Sequence, residues 1–248
     1  MPIVIKYGGS AMTDAQVRAG VAARIARVPQ AIVVHGGGPF IAEALADAGL
    51  ESRFVRGLRV TNAESLGVIE RTLTQLSKLL AQEVGSAVGL SGRDSSLLVA
   101  TPLGAELGFV GEVTSVNRRL LEGLLSLGVV PVIACLAETE DRRGVLNVNA
   151  DSAAGAVAGA LGAPVVFLSD VPGVLDHPQH PEVLLELGER SIYERIRDGR
   201  IAGGMIPKVE AALQALRAGA SFAVIADGRA PERLAAALAG ESGTRIVR

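Results

Sequence analysis

Short apolar runs alternate along this chain with stretches in which apolar positions recur every three or four residues. "PIVIKY" reads as a first buried strand, and Asp14 opens a helix with Val17, Val21, Ile25 and Val28 on one face. "AIVV", Ala31 to Val34, is a second strand. Pro39 suits the first turn of the next helix, which carries Phe40, Ile41, Ala44, Leu45 and Ala48 on one side. Strand, helix, strand, helix predicts βαβ units and a mainly parallel sheet covered on both faces. "SRFVRGLRVT" predicts a hairpin turning at Arg56-Gly57. Ala63 to Val84 is a long helix whose Leu66, Ile69, Leu73, Leu76 and Leu80 form a narrow seam; the spacing suits packing on the sheet and a dimer interface equally.

Beyond Ser86 short strands and glycines dominate as far as Val116. Asn117 can cap a helix to Ser126, "VVPVIACLA" is a buried strand and "ETEDRRGVLNVN" a polar hairpin. Asn149 or Asp151 opens a helix of Ala and Gly, and "PVVFLSD" is a strand ending at Asp170. Helices are expected near Ser191–Asp198 and Ile206–Ala218, then a strand in "SFAVIADG", a helix over Pro231–Ala239 and an edge strand in "GTRIV". The fold class is therefore α/β, and 248 residues suffice for one large domain or two lobes sharing a sheet.

Composition narrows the chemistry. Aromatic residues are 3% of the chain, with no Trp, so the core is aliphatic. A net charge of −2 without long runs of one sign gives no footprint for nucleic acid. Cys135 is the one cysteine, which excludes a disulfide within the chain. The start lacks the pattern of a signal peptide, and Ser152 to Ser169 is split by glycines and Pro164 rather than spanning a membrane. A cytoplasmic protein is expected. His177 and His180 have no clustered partners that would make a metal site, His35 is expected to pack locally, and Lys78, Arg142 and Arg143 read as surface residues.

Lysine is scarce: Lys6, Lys78 and Lys208 stand against 21 arginines, and two of the three lie beside glycines. "KYGGS" (6–10), "HGGGP" (35–39) and "LSDVPG" (168–173) share one design, an apolar strand followed by small residues. Ligands of open parallel sheets bind beyond the carboxyl ends of strands. Glycine there lets backbone N–H groups approach an anion, and a following helix start adds positive potential. Neither G-x-x-x-x-G-K-[ST] nor G-x-G-x-x-G is present, so a phosphate binder here uses another scheme. Lys208 sits at the positive end of its helix, where a cation is disfavoured unless an anion is bound beside it. In "NVNAD" (147–151) Asn149 or Asp151 is a helix cap, or Asn147 holds a ligand while Asp151 orients lysines; spacing leaves both open.

"KYGGS", "VVHGGGP", "GLRVT", "LNVNAD", "LSDVPGVL" and "GGMIPK", in this order over nearly the whole chain, resemble the amino acid kinase family. "GLRVT" and "LNVNAD" resemble its acetylglutamate branch. The resemblance implies an αβα sandwich on a mainly parallel sheet. Residues 1–161 would form a lobe for the amino acid and for dimerisation, and residues 162–248 a lobe for ATP. Lys6 and Lys208 would contact the transferring phosphoryl group, with Asp151 bridging the two lysines. Gly9 and Gly37 would offer it N–H groups, while Gly36 and Gly38 shape the loop. Arg59 and Asn147 would hold the substrate. Gly8, Ser169, Asp170, Gly204 and Met205 would join Lys6, Gly9 and Lys208 at the nucleotide.

The implied partners are N-acetyl-L-glutamate, ATP with Mg²⁺ carried mainly by the nucleotide phosphates, and a second copy docked through helix 63–84. The implied reaction is the second step of arginine biosynthesis. Two alternatives are a kinase for carrier-protein-bound aminoadipate or glutamate, for which Arg53, Arg56 and Arg59 could form a docking surface, and a non-catalytic sensor on the same fold. Departures are Tyr7, where an aliphatic residue is usual, and 86–116, which matches no family motif. Arginine-inhibited relatives carry a helix before the first strand; this chain enters its strand at Ile3, so the expectation is a dimer without arginine feedback by that route.

Overall fold

In the computed structural model, residues 1–177 and 180–248 are described; the side chains of Ser10, His177, His180, Pro181 and Pro231 are outside the description, and with them the question of the two loop histidines. The elements in chain order are β1 (Ile3–Tyr7), α1 (Ala15–Ile25), β2 (Ala31–His35), α2 (Gly38–Asp47), β3 (Phe54–Val55), β4 (Leu58–Arg59), α3 (Ala63–Val84), β5 (Ala87–Ser91), β6 (Leu98–Pro102), β7 (Val110–Val116), α4 (Arg118–Ser126), β8 (Val130–Ala134), β9 (Leu136–Thr139), β10 (Val145–Val148) and α5 (Ala150–Leu161). They continue with β11 (Val165–Ser169), β12 (Leu175–His177), β13 (His180–Val183), β14 (Glu186–Gly188), α6 (Glu189–Arg197), α7 (Met205–Arg217), β15 (Ala223–Asp227), α8 (Leu234–Ala239) and β16 (Thr244–Val247).

The described strands build an eight-stranded sheet in the order β14-β16-β15-β11-β1-β2-β8-β5. Its pairs are parallel except β15 against β16. β1 is central, with β2 on one side and β11 on the other. The chain thus moves outward in both directions from β1, and the crevice beyond its carboxyl end is a topological switch point. β6, β7, β9 and β10 close on themselves as a small four-stranded ring.

Local chemistry explains most boundaries. The Asp14 carboxylate accepts from Gln16 and Val17 N–H and starts α1. Asn62 and Ser65 form a capping box at α3. Asn149, not Asp151, caps α5 by accepting from the N–H groups of Asp151 and Ser152. That leaves the Asp151 carboxylate free for other work. The seam of α3 is spent inside the chain: Ile69, Leu73, Leu76 and Leu80 are buried, Leu66 half-buried. One buried cluster includes both Val4 and Ile133 from the first part of the chain and Val209, Leu216 and Ile246 from the last.

Two sequence expectations need correction. "GTRIV" is not an edge strand, because β14 pairs with β16 on its outer side. β14 is three residues long and has no apolar alternation to announce it. "VVPVIACLA" is two strands rather than one: it breaks at Cys135, where β8 leaves the large sheet and β9 enters the small ring.

Candidate active site

Lys6 occupies the penultimate position of β1, and its side chain leaves the sheet at the switch point. Its Nζ lies 3.0 Å from Oδ1 of Asp151, in the first turn of α5. From the other side of the crevice Lys208, on α7, reaches Oδ1 of Asp170 at 3.2 Å. Asp170 also accepts from the Ser169 hydroxyl at 3.1 Å. Hydrogen bonding from Lys208 holds the Asp170 carboxyl below its usual range. Lys6, Asp151, Ser169 and Lys208 line one cleft of about 30 Å³. Two ammonium groups far apart in sequence therefore meet, each steadied by its own carboxylate. Asp151 pairs with Lys6, and Lys208 pairs with Asp170 rather than with Asp151.

Gly8 makes room for this arrangement. A Cβ there would stand 3.3 Å from Lys6 Nζ and 3.4 Å from its Cε. The next loop is tied to the first: Gly36 N–H donates to the Tyr7 carbonyl at 3.0 Å. That amide is therefore committed to structure. In the first turn of α2 that follows, Pro39 has no N–H and Ile41 N–H donates to the Gly37 carbonyl at 2.8 Å, which leaves Gly38 and Phe40 as the amides without an intrahelical acceptor. Beneath the loop His35 is fully buried. Its Nδ1–H donates to the Gly36 carbonyl at 3.0 Å, and Nε2 has no partner. Burial pushes this imidazole down to about 4, so it is neutral at physiological pH. Cys135 donates its thiol hydrogen to the His35 carbonyl at 2.9 Å, and burial pushes that thiol up to about 12.

A second cavity, about 180 Å³, opens beside the lysine cleft. Gly36, Gly37, Gly38, Arg59 and Asn147 line it, with Phe54 and Leu73 among its apolar walls. The Arg59 guanidinium stacks over the Phe54 ring at 4.7 Å, bonds the Ser52 hydroxyl and donates to the Gly38 carbonyl at 3.2 Å. Desolvation pulls its pKa below the usual arginine value, yet it stays charged. Asn147 donates from Nδ2 to Thr61 Oγ1 at 3.1 Å. Ala150 lines this cavity and its neighbour Asp151 lines the cleft, so the start of α5 joins the two spaces.

The structure thus gathers Lys6, Asp151, Ser169, Asp170 and Lys208 at one point, and Gly36, Gly37, Gly38, Arg59 and Asn147 beside it. Gly9 and Gly204 are exposed and Met205 half-buried; these three line neither space. Sequence reasoning does not reach Thr61, Phe54 and Cys135 as site residues. A signal exists for Thr61: it stands two residues after Arg59 in extended chain, hence on the same face. Among the described residues no group of three or more His, Cys, Asp or Glu could hold a metal ion, and no helix is long and apolar enough to cross a membrane.

Comparison with known proteins places nearly the whole chain in one family. Residues 1–227 match the amino acid kinase family. An acetylglutamate kinase of Deinococcus radiodurans is 50% identical over 249 residues, covering 99% of this chain and 100% of that protein. One from Paracoccus denitrificans is 43% identical, covering 97% of this chain and 82% of its own length. Among solved structures, smu.665 of Streptococcus mutans UA159 superposes with a TM-score of 0.78 at 30% identity, covering 99% of this chain and 98% of that one.

Proposed function

The chain belongs to the amino acid kinase family, and we propose that it transfers the γ-phosphoryl group of ATP to the side-chain carboxylate of N-acetyl-L-glutamate, giving an acyl phosphate in the second step of arginine biosynthesis. The observation that carries this reading is the meeting of Lys6 and Lys208 in one cleft beside a cavity holding Arg59 and Asn147.

The acceptor is a carboxylate that ordinarily titrates at ~4.3 and is already ionised at neutral pH, so no general base is required. The obstacle is repulsion between two anions. Lys6 and Lys208 offset it by donating to the phosphoryl oxygens, joined by N–H groups at Gly9 and Gly37. Before substrate arrives, Asp151 and Asp170 hold the ammonium groups in place. On binding, the phosphoryl oxygens take over as acceptors. Asp151, placed between the two spaces, orients Lys6 and, as the cleft fills, Lys208. Arg59 pairs with the carboxylate that does not react, and Asn147 holds the polar body of the substrate.

Residues 1–161 hold the acid and 162–248 the nucleotide, where Gly8, Ser169, Asp170, Gly204 and Met205 border ATP. The cleft's two carboxylates are already paired to lysines, a donor set that suits Mg²⁺ carried in on the β and γ oxygens rather than bound by the chain. The metal supplies charge neutralisation there. A cytoplasmic homodimer belongs to the same reading. Its support is the open edge at β5, next to α3, whose Leu79 is exposed.

The test is ADP release with N-acetyl-L-glutamate, glutamate, aspartate and UMP offered separately. Turnover confined to the acetylated acid is expected; turnover confined to another acceptor, or ATP hydrolysis indifferent to all four, would overturn the assignment.

A further inference from the structure

We infer that Thr61 is a positioning residue: its hydroxyl fixes which end of the Asn147 carboxamide faces the acid cavity and ties that carboxamide to Arg59. Thr61 is fully buried. Its Oγ1 lies 2.9 Å from the Arg59 carbonyl, which can only accept, so the hydroxyl hydrogen is committed there. What remains at Oγ1 is lone-pair density. The Asn147 group 3.1 Å away must therefore be the amide nitrogen, because the oxygen would face another acceptor. This leaves Asn147 with Oδ1 and its second N–H for the cavity, in one order only.

The backbone prevents the pair from drifting apart. Thr61 N–H donates to the Leu107 carbonyl at 3.0 Å, and Phe109 N–H donates to the Thr61 carbonyl at 2.7 Å. Asn147 N–H in turn donates to the Phe109 carbonyl at 2.9 Å. The segment 107–109 is thus stitched between Thr61 and Asn147. Only glycine fits its middle: Gly108 has φ +69°, and a Cβ there would stand 2.3 Å from the Thr61 carbonyl oxygen. Arg59, Thr61 and Asn147 form one relay between two segments braced by a third, and the Thr61 side chain couples the Asn147 carboxamide to the Arg59 backbone carbonyl.

The inference builds on the proposed reaction, so its test has a kinetic arm and an arm independent of turnover. Thr61→Val keeps the shape and removes the hydroxyl. We expect KM for N-acetyl-L-glutamate to rise about tenfold, with kcat within about threefold and KM for ATP unchanged, the loss expected for one polar contact to bound substrate. Thr61→Ser keeps the wild-type KM. Thr61→Val adds nothing further in an Asn147→Ala background, because Thr61 acts through Asn147. An unchanged KM, a fall confined to kcat, or a Ser variant as impaired as Val overturns the inference. A wild-type enzyme that ignores N-acetyl-L-glutamate counts against the reaction instead. The second arm then decides: the Asn147 side-chain NH₂ resonances, identified by their loss in Asn147→Ala, exchange slowly with solvent in the wild type and Thr61→Ser and rapidly in Thr61→Val. Equal exchange in all three overturns the inference.

Discussion

The ammonium of Lys6 lies 3.0 Å from the carboxylate of Asp151, across 145 residues of chain. The contact exists because β1 ends at the switch point of the sheet while Asn149 caps α5 and frees Asp151 to face it. On the proposed reaction, Lys6→Ala and Lys208→Ala would each remove one donor to the phosphoryl group while leaving the apolar core intact. Each should fold normally and lose about 10²–10³ in kcat, the typical cost of one such donor. Steady-state kinetics alongside circular dichroism check this. Near wild-type rates in both would contradict the assignment.

Gly8→Ala separates space from charge. The new Cβ presses on the far end of the Lys6 side chain, 3.3 Å from Nζ, while the Gly36 nitrogen at 3.7 Å is in ordinary contact, so the chain can yield without unfolding. The ammonium must then give way slightly from its place beside Asp151. Misplacement by a full ångström can cost about 10²-fold in rate; a shift of a fraction of that should lower kcat by up to about tenfold. The thermal midpoint should shift by no more than a few degrees. A melting curve and a rate measured on the same sample decide it.

Much of this fold is legible in the sequence because the core is aliphatic and its periodicities are clean. The hairpin turn at Arg56-Gly57, the cap Asp14 and the seam of α3 are local signals with local causes. The crevice is legible as well, since lysine beside glycine at strand ends is unusual in a chain this rich in arginine. What the sequence hides depends on contacts between distant segments. Thr61 is ordinary until 107–109 pins it against Asn147. The ion pair between Asp170 and Lys208 needs the turn after β11 to face α7, which no spacing announces. β14 is a strand only because β16 lies beside it.

Arg59→Ala should act on binding more than on chemistry. The guanidinium lines the cavity of about 180 Å³ proposed for the acid, not the lysine cleft, and is held by Phe54 and the Gly38 carbonyl. Loss of a charge-assisted pair to the unreactive carboxylate should raise KM for the acid by about 10–100-fold, with kcat much less affected. Arg59→Lys should recover only part of this, because an ammonium cannot form the two-pronged pair or the stack. An unchanged KM in Arg59→Ala would remove Arg59 from the binding site.

His35 gives the fold a pH dependence with a definite sign. Burial depresses its pKa from 6.5 to about 4, so the folded state favours the neutral ring. Between these values the unfolded chain binds more protons than the folded one, and stability falls as pH falls. The contribution is complete above about pH 6.5 and is lost as pH drops through about 4, amounting to roughly 3 kcal/mol in all. Asp170 and Asp227, whose carboxyls are held low by Lys208 and Arg229, weaken the fold only at still lower pH. Urea unfolding at pH 7.5, 6.0 and 5.0 should therefore show a steep loss in the wild type. His35→Gln, whatever its absolute stability, should show a flatter slope over the same interval. Parallel slopes in the two proteins would mean that the buried imidazole does not govern acid sensitivity, and that its orphan Nε2 finds an acceptor able to hold the protonated ring.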